Sequence, residues 1–366
     1  MLKKVENKKD LKRFIYFVKD LYRNEDHYIF PIFRLQYIEL KALVLKEKTY
    51  KALLHFENDK VTGRLLYTLT NDHDDHPICY FSLFDAVNDQ KVAERLFDAM
   101  ETDMKNNDVI RCEGTFAPYD PDTRRGILIK GFDEDPTLHN SYNHPYYQDL
   151  LESQGYEKGY DTYAVEAKIN ARTEKKLHTI YTYYMRRHKT TSIDAIDLKH
   201  LEREINDVHT VVKEASAEVN YVREPSIDLI REVARSYKPF INPDFILIAR
   251  EKDTNRPIGF CLVLPDFNQL FKKSKGHFRP LKWFLSKHKI DGARGFMQYV
   301  VPEYQNTGLI GAMFSVIYDQ FKKYGIIHFE AGTMLESNKK SWKTFEKFGG
   351  EIAKKYRIFR KDVDVL

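Results

Sequence analysis

Apolar and polar residues alternate with a period of two over Lys51 to Glu57, Val61 to Thr70 and Ile78 to Phe84, which predicts three strands. A 3.6-residue period over Leu11 to Arg23 and over Val92 to Asn106 predicts helices on either side of them. Further along, Thr190 to Ile196 predicts a strand, and Leu198 to Ala217 with Ser226 to Tyr237 predict two helices. Phe245 to Arg250 and Pro257 to Leu264 predict a hairpin across Asp253-Thr-Asn-Arg256. The most informative junction follows: Gly295 to Val301 is strand-like, Gln305 to Gly308 is a turn, and Leu309 to Tyr324 is apolar at helical spacing. Amides at such a helix N-terminus point into the turn, where the helix dipole favours an anion and Gly308 allows close approach. A tight connection with no ligand is the alternative. Ile326 to Ala331 then predicts a strand, and Asn338 to Gly350 a capped helix ending in glycine.

The same plan occurs twice. Val109 to Gly114 parallels Ile326 to Ala331, with helical patterns of matching spacing before each, and Asn143 to Gly155 parallels Asn338 to Gly350. The first copy carries extra residues within Thr115 to Tyr142, a stretch rich in Pro, Asp and Gly that includes Gly126 to Asp133 and is expected to form a hairpin or a lid over a cleft. Aligned through their helices, Asn88-Asp89-Gln90-Lys91 falls opposite Gln305-Asn306-Thr307-Gly308. Lys91 replaces the glycine and Asp89 adds negative charge, so the second copy is the better anion site.

Length and composition agree with a doubled plan. At 366 residues the chain exceeds a usual single core, and 42% hydrophobic residues are ample for two, with the boundary at residues 168 and 169. No apolar run is of membrane-spanning length and no signal-peptide pattern is present, so a soluble cytoplasmic chain without membrane insertion is expected. Cys79, Cys112 and Cys261 sit in separate apolar runs, as buried free thiols do. Asp72-His73-Asp74-Asp75-His76 has metal-ligand residue types, yet it falls where a charged hairpin tip is expected, and no metal is assigned. From Lys272 to Arg294, eight basic residues face a single acid, Asp291, with Phe271, Phe278, Trp283 and Phe284 among them. A solvated connection explains this segment, and so does a surface for an acidic membrane or a phosphorylated ligand. The absence of a recognisable nucleic-acid module argues against nucleic acid.

The order from Val300 to Gly350 resembles the C-terminal half of the GNAT superfamily of acyl-CoA-dependent N-acyltransferases, whose Q/R-x-x-G-x-G/A turn is matched by Gln305, Asn306, Thr307 and Gly308. Ile310 departs from that pattern, and Gly311 lies one residue beyond it. Gly131-Phe-Asp133, Tyr142 to Tyr147, Pro265-Asp266-Phe-Asn268 and Lys355-Tyr356-Arg357 resemble uncharacterised bacterial tandem-GNAT proteins. The resemblance implies an α/β (α+β) chain of two GNAT-like domains in series, each a mixed, mostly antiparallel twisted sheet flanked by helices. Residues 1–168 would be a degenerate copy and 169–366 the copy that binds acetyl-CoA or another acyl-CoA as co-substrate.

It further implies that Tyr299, Val300 and Val301 pair with the pantetheine arm, and that Gln305, Asn306, Thr307, Gly308, Leu309 and Gly311 cradle the pyrophosphate. Asn338 would cap a helix beside the cofactor. Glu330 is the candidate base for an unknown amine, or else a strand carboxylate paired with a basic neighbour. Relatives carry a tyrosine acid where this chain has Phe345, which leaves Tyr304 as candidate acid or as a ring packed on the cofactor. An acyl-CoA sensor without catalysis, and a transferase using aminoacyl-tRNA, are the alternative functions.

Overall fold

In a computed structural model the structure describes residues 1–72, 74–116, 126–216, 226–237 and 241–363. The first half contains β1 (Leu2–Lys4), α1 (Lys8–Leu21), α2 (Phe33–Leu40, continued by a wider π-turn over Lys41–Lys46), β2 (Lys51–Glu57), β3 (Lys60–Asn71) and β4 (Pro77–Ala86). It continues with α3 (Gln90–Lys105), β5 (Arg111–Gly114), β6 (Ile127–Lys130), α4 (Tyr147–Glu152) and β7 (Glu157–Lys168). The second half contains α5 (Ala171–Arg187), β8 (Thr191–Ala195), α6 (Leu201–Ser216), α7 (Ile227–Tyr237), β9 (Ile246–Glu251) and β10 (Pro257–Pro265). After these come α8 (Asn268–Ser274), α9 (Pro280–Ser286), β11 (Gly292–Val300), α10 (Leu309–Tyr324), β12 (His328–Leu335), α11 (Lys339–Glu346) and β13 (Glu351–Asp362).

The strands form one mixed, largely antiparallel sheet flanked by helices, in the order β1-β2-β3-β4-β5-β13-β7-β12-β11-β10-β9-β8, with β6 on β13. The parallel pairs are β4 with β5 and β11 with β12. Both part company early. β11 pairs with β12 only from Gly292 to Gly295 and then continues beside β10 alone, while β4 pairs with β5 only from Ile78 to Phe81. Each half therefore opens a V in the sheet where backbone groups lack a neighbouring strand.

The two halves exchange their last strands. β7 pairs with β12, and β13 pairs with β5, so β13 and β7 lie side by side at the centre. Two sheets in series are the sequence expectation, and the continuous ladder differs from it because these strands find their partners across the chain. Of the inserted stretch Thr115 to Tyr142, residues 117–125 lie outside the described residues. Ile127–Lys130 joins β13, and the residues after it cross to the second half. Helix α5 begins just after the boundary expected between the halves. It is held by Leu177, Ile180 and Tyr184, and Asn170 caps it through the Thr173 amide. One apolar core fills the first half around Phe14, Leu54, Phe81 and Phe97, and another fills the second around Ile258, Val301, Met313 and Phe329.

Candidate functional site

Gln305 and Asn306 are exposed on the turn before α10, and Thr307 secures it by donating its hydroxyl to the Tyr304 carbonyl (2.7 Å). Asn306 and Gly308 hold φ of 60° and 99°, a left-handed backbone that asparagine and glycine tolerate. Gly308 is the N-cap of α10 and brings no side chain to it. By contrast, Asp89 caps α3 with its own carboxylate, which accepts from the Lys91 amide. The helix N-terminus of the first copy thus already carries an anion from the chain itself, whereas that of the second does not.

Around this turn several of the expected site residues have partners within the chain itself. The Val301 amide, expected to pair with a ligand, donates to the Ile258 carbonyl (3.1 Å) because the ladder with β10 runs on past Val300. Amides alternate along a strand, so that of Val300 faces the opened edge, where the Gln305 side chain already reaches the Val300 carbonyl (3.4 Å). Leu309 packs inward on Gly259, leaving only its backbone for a ligand. A side chain at Gly311 would meet Ile180 at 2.8 Å, so Gly311 admits α5. Tyr299 is half-buried beside Phe260 and Ile248. The Tyr304 hydroxyl donates to Glu251 (2.8 Å); partial burial and that carboxylate push its pKa up to about 12. Asn338 caps α11 through the Ser341 amide (3.2 Å). Phe345 lies in the core against Phe314 and Phe329.

Glu330 sits at the base of the second V, buried among polar groups. Its carboxylate accepts from Lys354 Nζ (2.7 Å), Asn140 Nδ2 (2.8 Å) and the Thr137 hydroxyl. Lys354 lies on β13, three hundredths exposed, and also meets Glu134 at 2.9 Å. Burial alone would lower its pKa, but Glu330 and Glu134 outweigh burial and the net shift is upward. Buried Arg294 donates to the carbonyls of Gly332 and Leu138. Asp266 accepts from the amides of Leu138 and Asn268, and burial raises its carboxyl to about 7. The loop from Glu134 to Asn140 therefore ties the first half to the second V. Beside this cluster, the buried Tyr356 hydroxyl has no partner among the described residues.

Asn140 links the cluster to a cavity of about 510 Å³ between the halves. Apolar walls come from Leu66, Phe84, Leu138, Leu264, Phe267 and Trp283. Polar side chains interrupt these walls. Arg64 and Asp85 are paired (2.7 Å), with the Tyr22 hydroxyl donating to Asp85 (2.8 Å). Gln36 Oε1 and Ser82 Oγ, both buried in the wall, have no partner among the described residues. His139, with a left-handed backbone (φ 66°), stands in the wall with its ring 5.7 Å from Phe296, on the stretch of β11 that has left β12. Sequence reasoning missed the cavity and His139. The only signal for either was the inserted loop.

No family model matches the chain. Protein YghO of Escherichia coli (strain K12) is 25% identical over 376 residues, covering 98% of this chain and 94% of that protein. The bacterial ceramide synthase of Caulobacter vibrioides (strain NA1000 / CB15N) is 24% identical over 299 residues, covering 77% of this chain and 74% of that protein. Among solved structures, a GCN5-related N-acetyltransferase from Sphaerobacter thermophilus superposes with a TM-score of 0.57 at 11% identity, over 99% of this chain and 95% of that one. A tandem GNAT protein from the clavulanic acid biosynthesis pathway gives 0.58 at 10% identity, over 99% and 98%. The chain has the GNAT fold. That fold accounts for both opened parallel pairs.

Other candidate residues fall outside the cavity and the turn. Ligand atoms of Asp72, Asp74 and His76 lie within 4.8 Å of one another at the tip between β3 and β4, and His73 lies outside the described residues. Asp72 there accepts from the amides of Asp74 and His76, as a hairpin tip requires. Cys79, Cys112 and Cys261 are buried free thiols, and burial pushes Cys261 up to about 12. No helix among the described residues is long and apolar enough to cross a membrane.

Proposed function

We propose that the protein is an acyl-CoA-dependent N-acyltransferase whose acceptor is a long-chain amine. The cavity carries this reading: it is apolar over most of its wall, runs between the halves, and has Gln36 and Ser82 in that wall to meet a polar head. The name of the Caulobacter relative gives a ceramide, an N-acyl lipid, as a product, which agrees with such a cavity. Residues 1–168 and 169–366 then act as two GNAT-like copies in series. The second holds acetyl-CoA or a longer acyl-CoA by the Gln305 to Gly308 turn and the opened edge of β11, and the first shapes the acceptor's walls.

The chemistry needs a neutral amine at the thioester carbonyl, formation of a C–N bond, cleavage of the C–S bond and one proton moved from nitrogen to the leaving thiolate. His139 is suited to take that proton, because it borders both the cavity and the opened edge at Phe296. Glu330 stands one hydrogen bond further back, behind Asn140. As a base it would have to act through water and loosen its pair with Lys354, so fixing Asn140 and the inserted loop is the role its contacts favour. Tyr304 as acid would have to leave Glu251. Release of free thiol from a series of acyl-CoAs, with amines from ethanolamine to long-chain amino alcohols, tests the proposal. Turnover should rise with acceptor chain length and fall roughly 10²-fold or more in His139→Ala. Binding of acyl-CoA without thiol release from any amine would sink the reaction and leave a sensor.

A further inference from the structure

Helix α9 is built the wrong way round for a helix packed on a soluble protein. Leu281, Phe284 and Leu285, at i, i+3 and i+4, form one stripe, and they are 71%, 58% and 63% exposed. The inward side is anchored separately: Trp283 is buried against Ile32, Leu270 and Ile290 and donates its indole N–H to Ser274 (2.7 Å). The stripe continues across neighbouring elements. Phe278 is exposed on the turn before α9, with the Arg34 guanidinium over its ring, and Leu35 and Ile38 are exposed on α2. The Phe33 amide donates to the Gly276 carbonyl, which joins α2 to that turn in one surface.

Cations surround this apolar surface. Arg34, Lys273, Lys275, Arg279, Lys282, Lys287 and Lys289 are all exposed, and no acidic residue occurs between Lys272 and Ile290. Lys272 alone of this run is committed elsewhere, to Asp135 (2.6 Å). Leu35, Phe278, Phe284 and Lys287 also line the cavity, so its mouth opens through the middle of the surface. Glu39, on α2, also lines the cavity there. Exposed leucines and phenylalanines ringed by lysine and arginine match the boundary between acyl chains and headgroups of an anionic bilayer.

We propose that this face docks the protein on an anionic phospholipid membrane, and that the acceptor enters the cavity from the bilayer without crossing water. For its purpose the inference rests on the long-chain amine reading, whereas the docking itself is measured without any reaction. Residues of the surface outside the cavity are the ones to alter: Leu281→Ser with Leu285→Ser, and Lys282→Glu with Lys289→Glu. The full chain is sedimented with vesicles of phosphatidylcholine alone, and with vesicles of equal parts phosphatidylcholine and phosphatidylglycerol.

Wild type should pellet with the mixed vesicles, and added salt should weaken that binding. The leucine pair should weaken it roughly tenfold or more and the lysine reversal roughly 25-fold or more. Thermal unfolding should be unchanged in both. Wild type left in the supernatant with mixed vesicles overturns the proposal. So does equal binding to neutral vesicles in all variants, or binding to heparin but not to vesicles. A dimer that the leucine pair converts to monomer would instead assign the face to a second copy. Thiol release with an acceptor dissolved below its micellar range reports separately on the reaction. A variant that loses vesicles but keeps that turnover is the expected result, and vesicle binding without any turnover would retain the docking while removing the reaction.

Discussion

Replacing Glu330 by glutamine tests the buried charge network most directly. The amide can still accept from Thr137 and Asn140, but Lys354 loses its buried anion and keeps only Glu134, whose side chain is nearly half exposed. Breaking a buried pair from one side costs about 3–5 kcal/mol, and the surviving contact to Glu134 brings the expectation to roughly 2–4 kcal/mol. Urea unfolding followed by circular dichroism measures it. The cycle with Lys354→Met isolates the pair: the double variant should recover about 2 kcal/mol or more relative to the sum of the singles. The folded pKa of Lys354 lies above its ordinary value of 10.5, so the pair's contribution is fully present below pH 10.5 and is lost as pH rises through the folded value. Glu330→Gln should flatten that alkaline loss. Additivity within about 0.5 kcal/mol would refute the argument and return Glu330 to a role in the chemistry.

Asp266→Asn keeps the carbonyl that accepts from Leu138 and Asn268 but no longer ionises. Because burial raises the native carboxyl from 3.8 to about 7, wild-type stability should fall as pH rises between those values, and the variant should lack that fall, by an upper bound of roughly 4 kcal/mol. Phe345→Tyr supplies the hydroxyl that the GNAT resemblance implies at this position, yet it would bury that group against Phe314 and Phe329. Thermal unfolding should show a loss of about 1–3 kcal/mol, with no gain in thiol release. Gly311→Val should disrupt the packing of α5 on α10, and Ile180→Ala should restore part of the lost stability, since that side chain is the one met at 2.8 Å. Gly308→Val finds room, with Ile180 and Tyr184 no nearer than 3.8 Å, but its φ of 99° strains any branched residue. Calorimetry should show acyl-CoA binding lost from one site per chain.

Much of the second half was legible because its signals are local. The period over Leu309 to Tyr324, the polar turn before it and Asn338 ahead of Lys339 place α10, the turn and the α11 cap within a residue or two of the structure. Helix α5 escaped notice because its buried side is narrow and lies among Lys, Arg, His and Tyr. Helix α9 escaped for the opposite reason, since its apolar stripe faces out and the lysines in and around it read as a solvated connection. Glu330 could be read as a strand carboxylate, but its partners come from residues 134–140 and from Lys354, which only the assembled sheet brings together. The cavity was beyond reach for the same reason, drawing its walls from α2, β3, β4, the inserted loop and α9.

The exchange of β7 and β13 sets the order in which the chain can mature during translation. Strand β5, near residue 113, waits for Arg360 and its neighbours as ladder partners, so the first half has an unfilled sheet edge until residues 351–362 have left the ribosome. Throughout that interval β5 presents unpaired amides and carbonyls, the condition under which strands pair with the wrong chain. Synthesis that stopped before β13 would thus damage the half made first as much as the half made last, and expression of residues 1–168 alone should yield an aggregating product.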